Sequence, residues 1–146
     1  GINVLAKHKD VLRSRTYPTI LTPHDGEFLR FGGIFKENRV ASAISFAQEY
    51  GIILLLKGHR TCITNGETGY VNETGNPGMA SGGSGDVLAG IVGGLMAQGL
   101  GGFDAATLGV YIHSLAGDKA AGKHSEYGVT AGKIIENIKG IITDGR

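Results

Sequence analysis

The chain has 146 residues, a formal net charge of +1 and a single cysteine, enough length for one domain with a core of its own. Its lysines and arginines are scattered, with no basic run and no interleaved aromatics, which argues against a dedicated nucleic-acid binder; one cysteine rules out an internal disulfide framework and a cysteine-rich zinc site. No stretch approaches the roughly 18 apolar residues of a membrane span, and no basic start followed by an apolar run marks a signal peptide, so a cytoplasmic location is expected.

The chain opens on Gly1 rather than Met, inside the helix-like pattern of Ile2, Leu5 and Ala6, as a piece of a longer protein would. "YPTILTP" reads as a short buried strand closed by Pro23. "HDGEFLRFGG" begins with turn chemistry and allows a helical turn or two. In "ENRVASAISFAQEYG", Val40, Ala43, Ile44 and Ala47 fall at i, i+3, i+4 and i+7, a helix stripe with Gly51 at the expected C-terminal cap. "IILLLKG" follows as a continuous apolar run of strand length, buried on both faces. "TCITNGETGYVN" reads as two strands around an Asn65-Gly66 turn, with Cys62 buried.

The remainder is helical. Val87, Leu88, Ile91, Val92, Leu95 and Met96 form an apolar stripe, beside a face of Gly90, Gly93, Gly94 and Ala97. An interior glycine costs about 1 kcal/mol relative to alanine, so close packing of that small-residue face is expected to offset the cost. Leu108, Tyr111, Ile112 and Leu115 share one side of a further helix, on which Asp104 reads as a cap and His113 as a satisfied, partly buried histidine. Thr130 caps the last helix. This order of strands, a hairpin and packed helices indicates an α/β fold.

The 26 glycines exceed the ordinary usage of about 7% and crowd into Gly75–Gly102. Gly78 and Gly83 have the spacing of a Walker A loop, but Ser84 stands where the lysine belongs. Gly83-Ser84-Gly85 starts a dinucleotide fingerprint, but Asp86, Val87 and Leu88 follow and the third glycine is missing. What remains is Gly82-Gly83-Ser84-Gly85-Asp86 opening a helix. Free N–H groups and about half a positive charge sit at such an end, and glycines let a phosphate reach the backbone. Asp86 suits two roles there: a helix cap, or a base for a hydroxyl that attacks the phosphate.

"TPHDGE" (Thr22–Glu27), "LLKGHRT" (Leu55–Thr61) and "GNPGMASGGSGDVLAGIVGGLMAQG" (Gly75–Gly99) together resemble the ADP/ATP-dependent NAD(P)H-hydrate dehydratase family, over nearly the whole chain. The resemblance implies a ribokinase-like α/β fold over residues 1–146, a central mostly parallel sheet flanked by helices, lacking its N-terminal part. It implies repair of hydrated NADH or NADPH: ADP or ATP, expected with Mg²⁺, phosphorylates the new hydroxyl, and phosphate then leaves. By the same resemblance Asp86 is the base and a substrate contact, and His24 a substrate contact. Lys57, Gly58, His59, Arg60 and Thr61 line the nucleotide site, and Gly83, Ser84 and Gly85 give N–H groups to the transferring phosphate.

Plainer readings stand beside these. His24 reads as a loop histidine, Lys57 as a solvated strand end, and Ser84 as a residue chosen for its size. His24, Asp25 and Glu27 make only a weak metal set, three donors in one turn with no distant partner. Asp25 stands where the family more often has proline, which implies a less rigid loop and an electrostatic cost beside phosphates. A parallel sheet lacking strands would expose an edge, so a homo-oligomer is expected. Two other functions compete: a ribokinase-like kinase of a small vitamin or sugar, and a non-catalytic nucleotide-binding fragment.

Overall fold

The structure is a computed structural model that describes residues 1–36 and 38–144. The chain divides into two units, Gly1–Asn72 and Glu73–Arg146.

The first unit runs α1 (Ile2–Leu5), α2 (Val11–Ser14), β1 (Ile20–Leu21), α3 (Asp25–Arg30), α4 (Arg39–Tyr50), β2 (Ile53–Leu56), β3 (Cys62–Thr64) and β4 (Gly69–Val71). Its four strands lie in the order β1-β2-β3-β4. The expected α/β character is present, but the pairing corrects the expected mostly parallel sheet. β1 and β2 are parallel, with Ile20 opposite Ile53, whereas β2–β3 and β3–β4 are antiparallel. Connection length explains this. A parallel pair needs a crossover, and only the β1–β2 link contains helices, α3 and α4; Lys57–Thr61 and Asn65–Thr68 are hairpin-length. In the second of these, Asn65 Oδ1 accepts from the amides of Glu67 and Thr68 at 3.0 and 2.8 Å, an Asx turn that fixes the reversal.

α4 starts where the Asn38 side chain accepts the Ala41 amide at 2.7 Å and stops at Gly51 in the left-handed region. Its buried face is turned slightly from the expected stripe. Ser42, Ala43, Phe46 and Ala47 are buried, while Val40 and Ile44 are half-buried. Phe46 accounts for the turn: its ring centroid lies 5.0 Å from that of Phe28, 5.6 Å from Phe31 and 4.8 Å from Tyr50. Burying one such side chain contributes about 1.5–3 kcal/mol. Leu54, Leu55, Leu56 and Cys62 are fully buried, so β2 is covered on both faces, as its unbroken apolar run requires.

The second unit has α5 (Ser84–Ala97), α6 (Gly102–His124) and α7 (Ala131–Asp144), with 3₁₀ turns at Pro77–Met79 and Glu126–Gly128. Thr130 caps α7, its hydroxyl accepting the Lys133 amide at 3.4 Å. Three expectations change. Gly101 is the N-cap of α6, and Asp104 lies in the first turn. Leu108 and Tyr111 are exposed rather than on a buried stripe, and the buried face of α6 carries Ala105, Ala106, Gly109, His113, Ala116, Gly117 and Ala120. Finally, Gly90, Gly93 and Gly94 of α5 are exposed, and a Cβ on any of them would meet nothing within 4 Å. The small residues that let helices approach closely are on α6, so α5 presents Leu88 and Val92 to the core and leaves its glycines outside.

Candidate functional site

The first group of expected residues lies where the parallel strands β1 and β2 end. Ligands of open α/β sheets bind outside such carboxyl ends. His24 and Lys57 pair there across a parallel bridge, and the Lys57 amide donates to Pro23 O at 2.8 Å. The structure thus brings an expected substrate residue and an expected nucleotide residue side by side. His24 is also the N-cap of α3. Its Nδ1 accepts the Glu27 amide at 3.2 Å, and Glu27 Oε2 accepts the His24 amide at 2.9 Å, a reciprocal capping box. With Nδ1 used as an acceptor, the neutral ring carries its proton on Nε2, which lies 3.6 Å from Glu27 Oε2. Glu27 Oε2 also lies 3.9 Å from Lys57 Nζ.

The expected cost of Asp25 is offset. It opens α3, where the helix dipole favours an acid, and its Oδ1 is ion-paired with Arg39 Nη1. Beyond Lys57 the chain turns through Gly58 (φ +152°) and Arg60 (φ +57°). His59 and Arg60 are exposed, and Thr61 Oγ1 donates back to Gly58 O at 3.1 Å. The five residues of "KGHRT" therefore form one tight loop, exposed at Gly58, His59 and Arg60.

The second group opens α5. Gly83 is its N-cap at φ +84°, a left-handed conformation in which a Cβ would also lie 3.2 Å from Ala131 Cβ. Glycine avoids both the steric cost and the contact. The amides of Gly82, Gly83 and Gly85 donate to no backbone carbonyl among the described residues, whereas the Ser84 amide, expected among the phosphate donors, is taken by Ser81 O at 3.2 Å because the chain already turns there. Asp86 occupies the first turn of α5, exposed, its carboxylate accepting no hydrogen bond among the described residues. Its side chain is thus not engaged as a cap. Ser84 is different: it is buried, and its hydroxyl faces His113 Nε2 at 3.3 Å.

His113 Nε2 also donates to Ser84 O at 3.0 Å. Burial pushes the ring's pKa below its ordinary value, and the hydrogen bond to Ser84 pulls the other way. His113 is the satisfied buried histidine expected from sequence. Its neighbours on α6 hold the preceding segment. Asp118 accepts from the Gly75 amide at 2.9 Å and from Asn76 Nδ2 at 2.8 Å, and Ser114 Oγ meets Thr74 Oγ1 at 2.5 Å. Sequence reading passed over Asp118, Ser114 and, in the first unit, Arg39. The only available signal was their charge or hydroxyl on otherwise apolar or loop-bordering stretches. Among the described residues no three His, Cys, Asp or Glu side chains converge so as to hold a metal, and no helix is long and apolar enough to cross a membrane.

Comparison with known proteins joins these motifs to relatives. A family model for NAD(P)H-hydrate dehydratase matches residues 1–140. The bifunctional NAD(P)H-hydrate repair enzyme Nnr of Moorella thermoacetica is 45% identical over 142 residues, 93% of this chain and 27% of that protein. The ADP-dependent (S)-NAD(P)H-hydrate dehydratase of Neisseria meningitidis serogroup B is 43% identical over 104 residues, 68% of this chain and 35% of its own. Among solved structures, the ADP/ATP-dependent NAD(P)H-hydrate dehydratase of Bacillus subtilis, co-crystallized with ATP and Mg²⁺, aligns with TM-score 0.82 at 29% identity, over 92% of this chain and 52% of that one. A ribokinase-like superfamily protein of Enterococcus faecalis aligns with TM-score 0.84 at 33% identity, over 98% of this chain and 50% of that one. The fold is ribokinase-like, and the chain spans about half the length of those solved structures and less of the curated relatives.

Proposed function

This chain belongs to the NAD(P)H-hydrate dehydratase family, and from that premise we propose that it serves the ADP- or ATP-dependent dehydration of hydrated NADH or NADPH. In that reaction the hydrate's hydroxyl oxygen attacks the terminal phosphorus of the nucleotide. The proton leaves the hydroxyl, the nucleotide departs one phosphoryl shorter, and loss of phosphate from the ring carbon together with a proton from the adjacent carbon restores the double bond of the reduced nicotinamide. The observation that carries the reading is the mouth of α5. An exposed, unengaged carboxylate, Asp86, lies in the first turn of α5, within four residues of the undonated amides of Gly82, Gly83 and Gly85.

Each part has a physical task. The amides and the helix dipole stabilise charge on the transferring phosphoryl group. Asp86 takes the hydroxyl proton. Ser84 is not one of the free donors, because its amide is held by Ser81 O and its hydroxyl is turned to His113; Gly83 and Gly85 supply them. Lys57–Thr61 receive the nucleotide, Lys57 as a charge and the rest as a tight loop. His24 donates from Nε2 to an acceptor on the substrate. Mg²⁺ would arrive on the nucleotide's phosphates. Self-association is part of the same proposal, readable by analytical ultracentrifugation; a cytoplasmic setting goes with the substrates.

The test is recovery of reduced-nicotinamide absorbance when the protein is mixed with NADH hydrate, Mg²⁺ and either ADP or ATP. Asp86→Asn should lose about 100- to 10,000-fold in turnover while still binding nucleotide, the range for a positioned general base. Near-normal turnover in that variant would leave Asp86 a helix-end charge only. A phosphorylated product without recovered absorbance would move the assignment to a small-molecule kinase, and ADP binding without turnover to a nucleotide-binding role.

A further inference from the structure

Arg39, the first residue of α4, is in contact with both loops that carry the first unit's expected site residues. Its Nη1 is paired with Asp25, the residue after His24. Its Nη2 donates to Leu56 O at 3.2 Å and to Lys57 O at 2.6 Å. The guanidinium carbon stands 5.7 Å from the Phe35 ring centroid, and Asp25, Phe35, Lys36, Asn38 and Arg39 line one shallow cleft. Three of these contacts converge on the point where the chains carrying His24 and Lys57 separate after their parallel bridge.

We propose that Arg39 is a positioning residue that fixes the spacing between the His24 loop and the Lys57–Thr61 loop, an inference that rests on the assignment of those loops to substrate and nucleotide. A guanidinium suits this task. It is a rigid planar fork of five donors and is always charged, so one end can hold a carboxylate while the other holds two carbonyls. Leu56 ends β2 and Lys57 follows it, and the carbonyls of both accept from the one Nη2. Gly58 is part of the same arrangement. A Cβ at Gly58 would lie 2.8 Å from Arg39 Nη2, so any side chain there would push the guanidinium off the Leu56 and Lys57 carbonyls. The positive φ of Gly58 disfavours a side chain independently.

The experiment compares Arg39→Ala, Arg39→Lys and Asp25→Asn with the parent protein by three readouts. The first is amide hydrogen exchange over residues 57–61, which needs no ligand. The second is ADP affinity by calorimetry, and the third is the split of kcat and KM on NADH hydrate. Removing a charged hydrogen-bonding group should raise the Kd for ADP and the KM for the hydrate together by about tenfold, with kcat changed less than either. Exchange at residues 57–61 should speed up while the interior of α4 and β2 stays protected. Arg39→Lys should not rescue, because an ammonium lacks the fork; Asp25→Asn should affect the hydrate more than ADP. Adding Gly58→Ala to Arg39→Ala should cost less than it costs alone, since both disturb one contact.

Unchanged exchange at 57–61 together with unchanged ADP affinity in Arg39→Ala would overturn the proposal. So would uniform loss of protection across the whole unit, which would make Arg39 a general stabiliser. Full rescue by Arg39→Lys would overturn the fork argument and make Arg39 a charge that meets the ligand directly. If the parent protein binds ADP but does not repair NADH hydrate, the catalytic assignment fails; exchange and calorimetry still decide the role of Arg39.

Discussion

The glycine face of α5 gives a direct test of how the second unit is built. Gly90, Gly93 and Gly94 are interior helical residues, and a Cβ on each would enter open space. Changing an exposed interior glycine to alanine removes backbone freedom from the unfolded chain and stabilises a helix by about 1 kcal/mol. The triple variant Gly90→Ala, Gly93→Ala, Gly94→Ala should therefore gain about 2–3 kcal/mol. For a chain of 146 residues, 1 kcal/mol moves Tm by about 2–4 °C, so the triple variant should melt roughly 5–10 °C higher. Thermal melts followed by circular dichroism at fixed protein concentration would measure it, with each single variant alongside. An unchanged or lower Tm would refute the reasoning, because it would mean that something approaches this face closely enough to exclude a methyl group. The single variant with the largest loss would then locate the contact.

Other consequences are as concrete. His113 is neutral in its buried site, with its pKa below the ordinary value. The unfolded chain therefore binds more protons than the folded one as pH falls below about 6.5, and stability should drop across that window. His113→Gln, whose amide can donate to Ser84 O, should flatten the dependence of Tm on pH between 5 and 8. His24→Ala removes a helix cap as well as an imidazole and should cost about 1 kcal/mol of stability. His24→Asn should restore the cap without restoring substrate affinity, and equal affinity in both variants and the parent would remove His24 from the site. Cys62 is fully buried, and burial raises the pKa of its thiol, so the native protein should resist thiol-specific reagents that label it rapidly once it is unfolded.

Much of this was legible in local sequence. The unbroken apolar run at Ile53–Leu56 identified a doubly covered strand, Gly51 marked the end of α4, and Asn65 gave the turn, because each signal acts within a few residues. The direction of pairing was equally available in principle from the short links on either side of β3. The partition of small residues between α5 and α6 was not. Both helices mix glycine and alanine with larger apolar residues, and only tertiary packing decides which small face receives a neighbour. Arg39 was illegible for the same reason: its partners lie 14 to 18 residues away in the chain, and nothing in its own segment distinguishes it from a solvated helix-start arginine. At the glycine-rich stretch the elimination of two phosphate motifs left a helix mouth with an acid, which the structure contains; that a buried histidine stands behind Ser84 was visible only in three dimensions.

The contacts of α6 with the segment before α5 bear on when ordering entropy is lost. His113, Ser114 and Asp118 stand close together on that helix and hold Ser84, Thr74, Gly75 and Asn76. The glycine-rich segment is thereby set as the chain folds, rather than when a ligand arrives. Association there then need not bear the ordering cost of a loose loop, which can reach about 0.5–1.5 kcal/mol for each flexible side chain alone. If the proposed phosphate role of this segment holds, substitutions on α6, 29 to 43 residues along the chain from their partners, would appear as weaker and entropically costlier nucleotide binding.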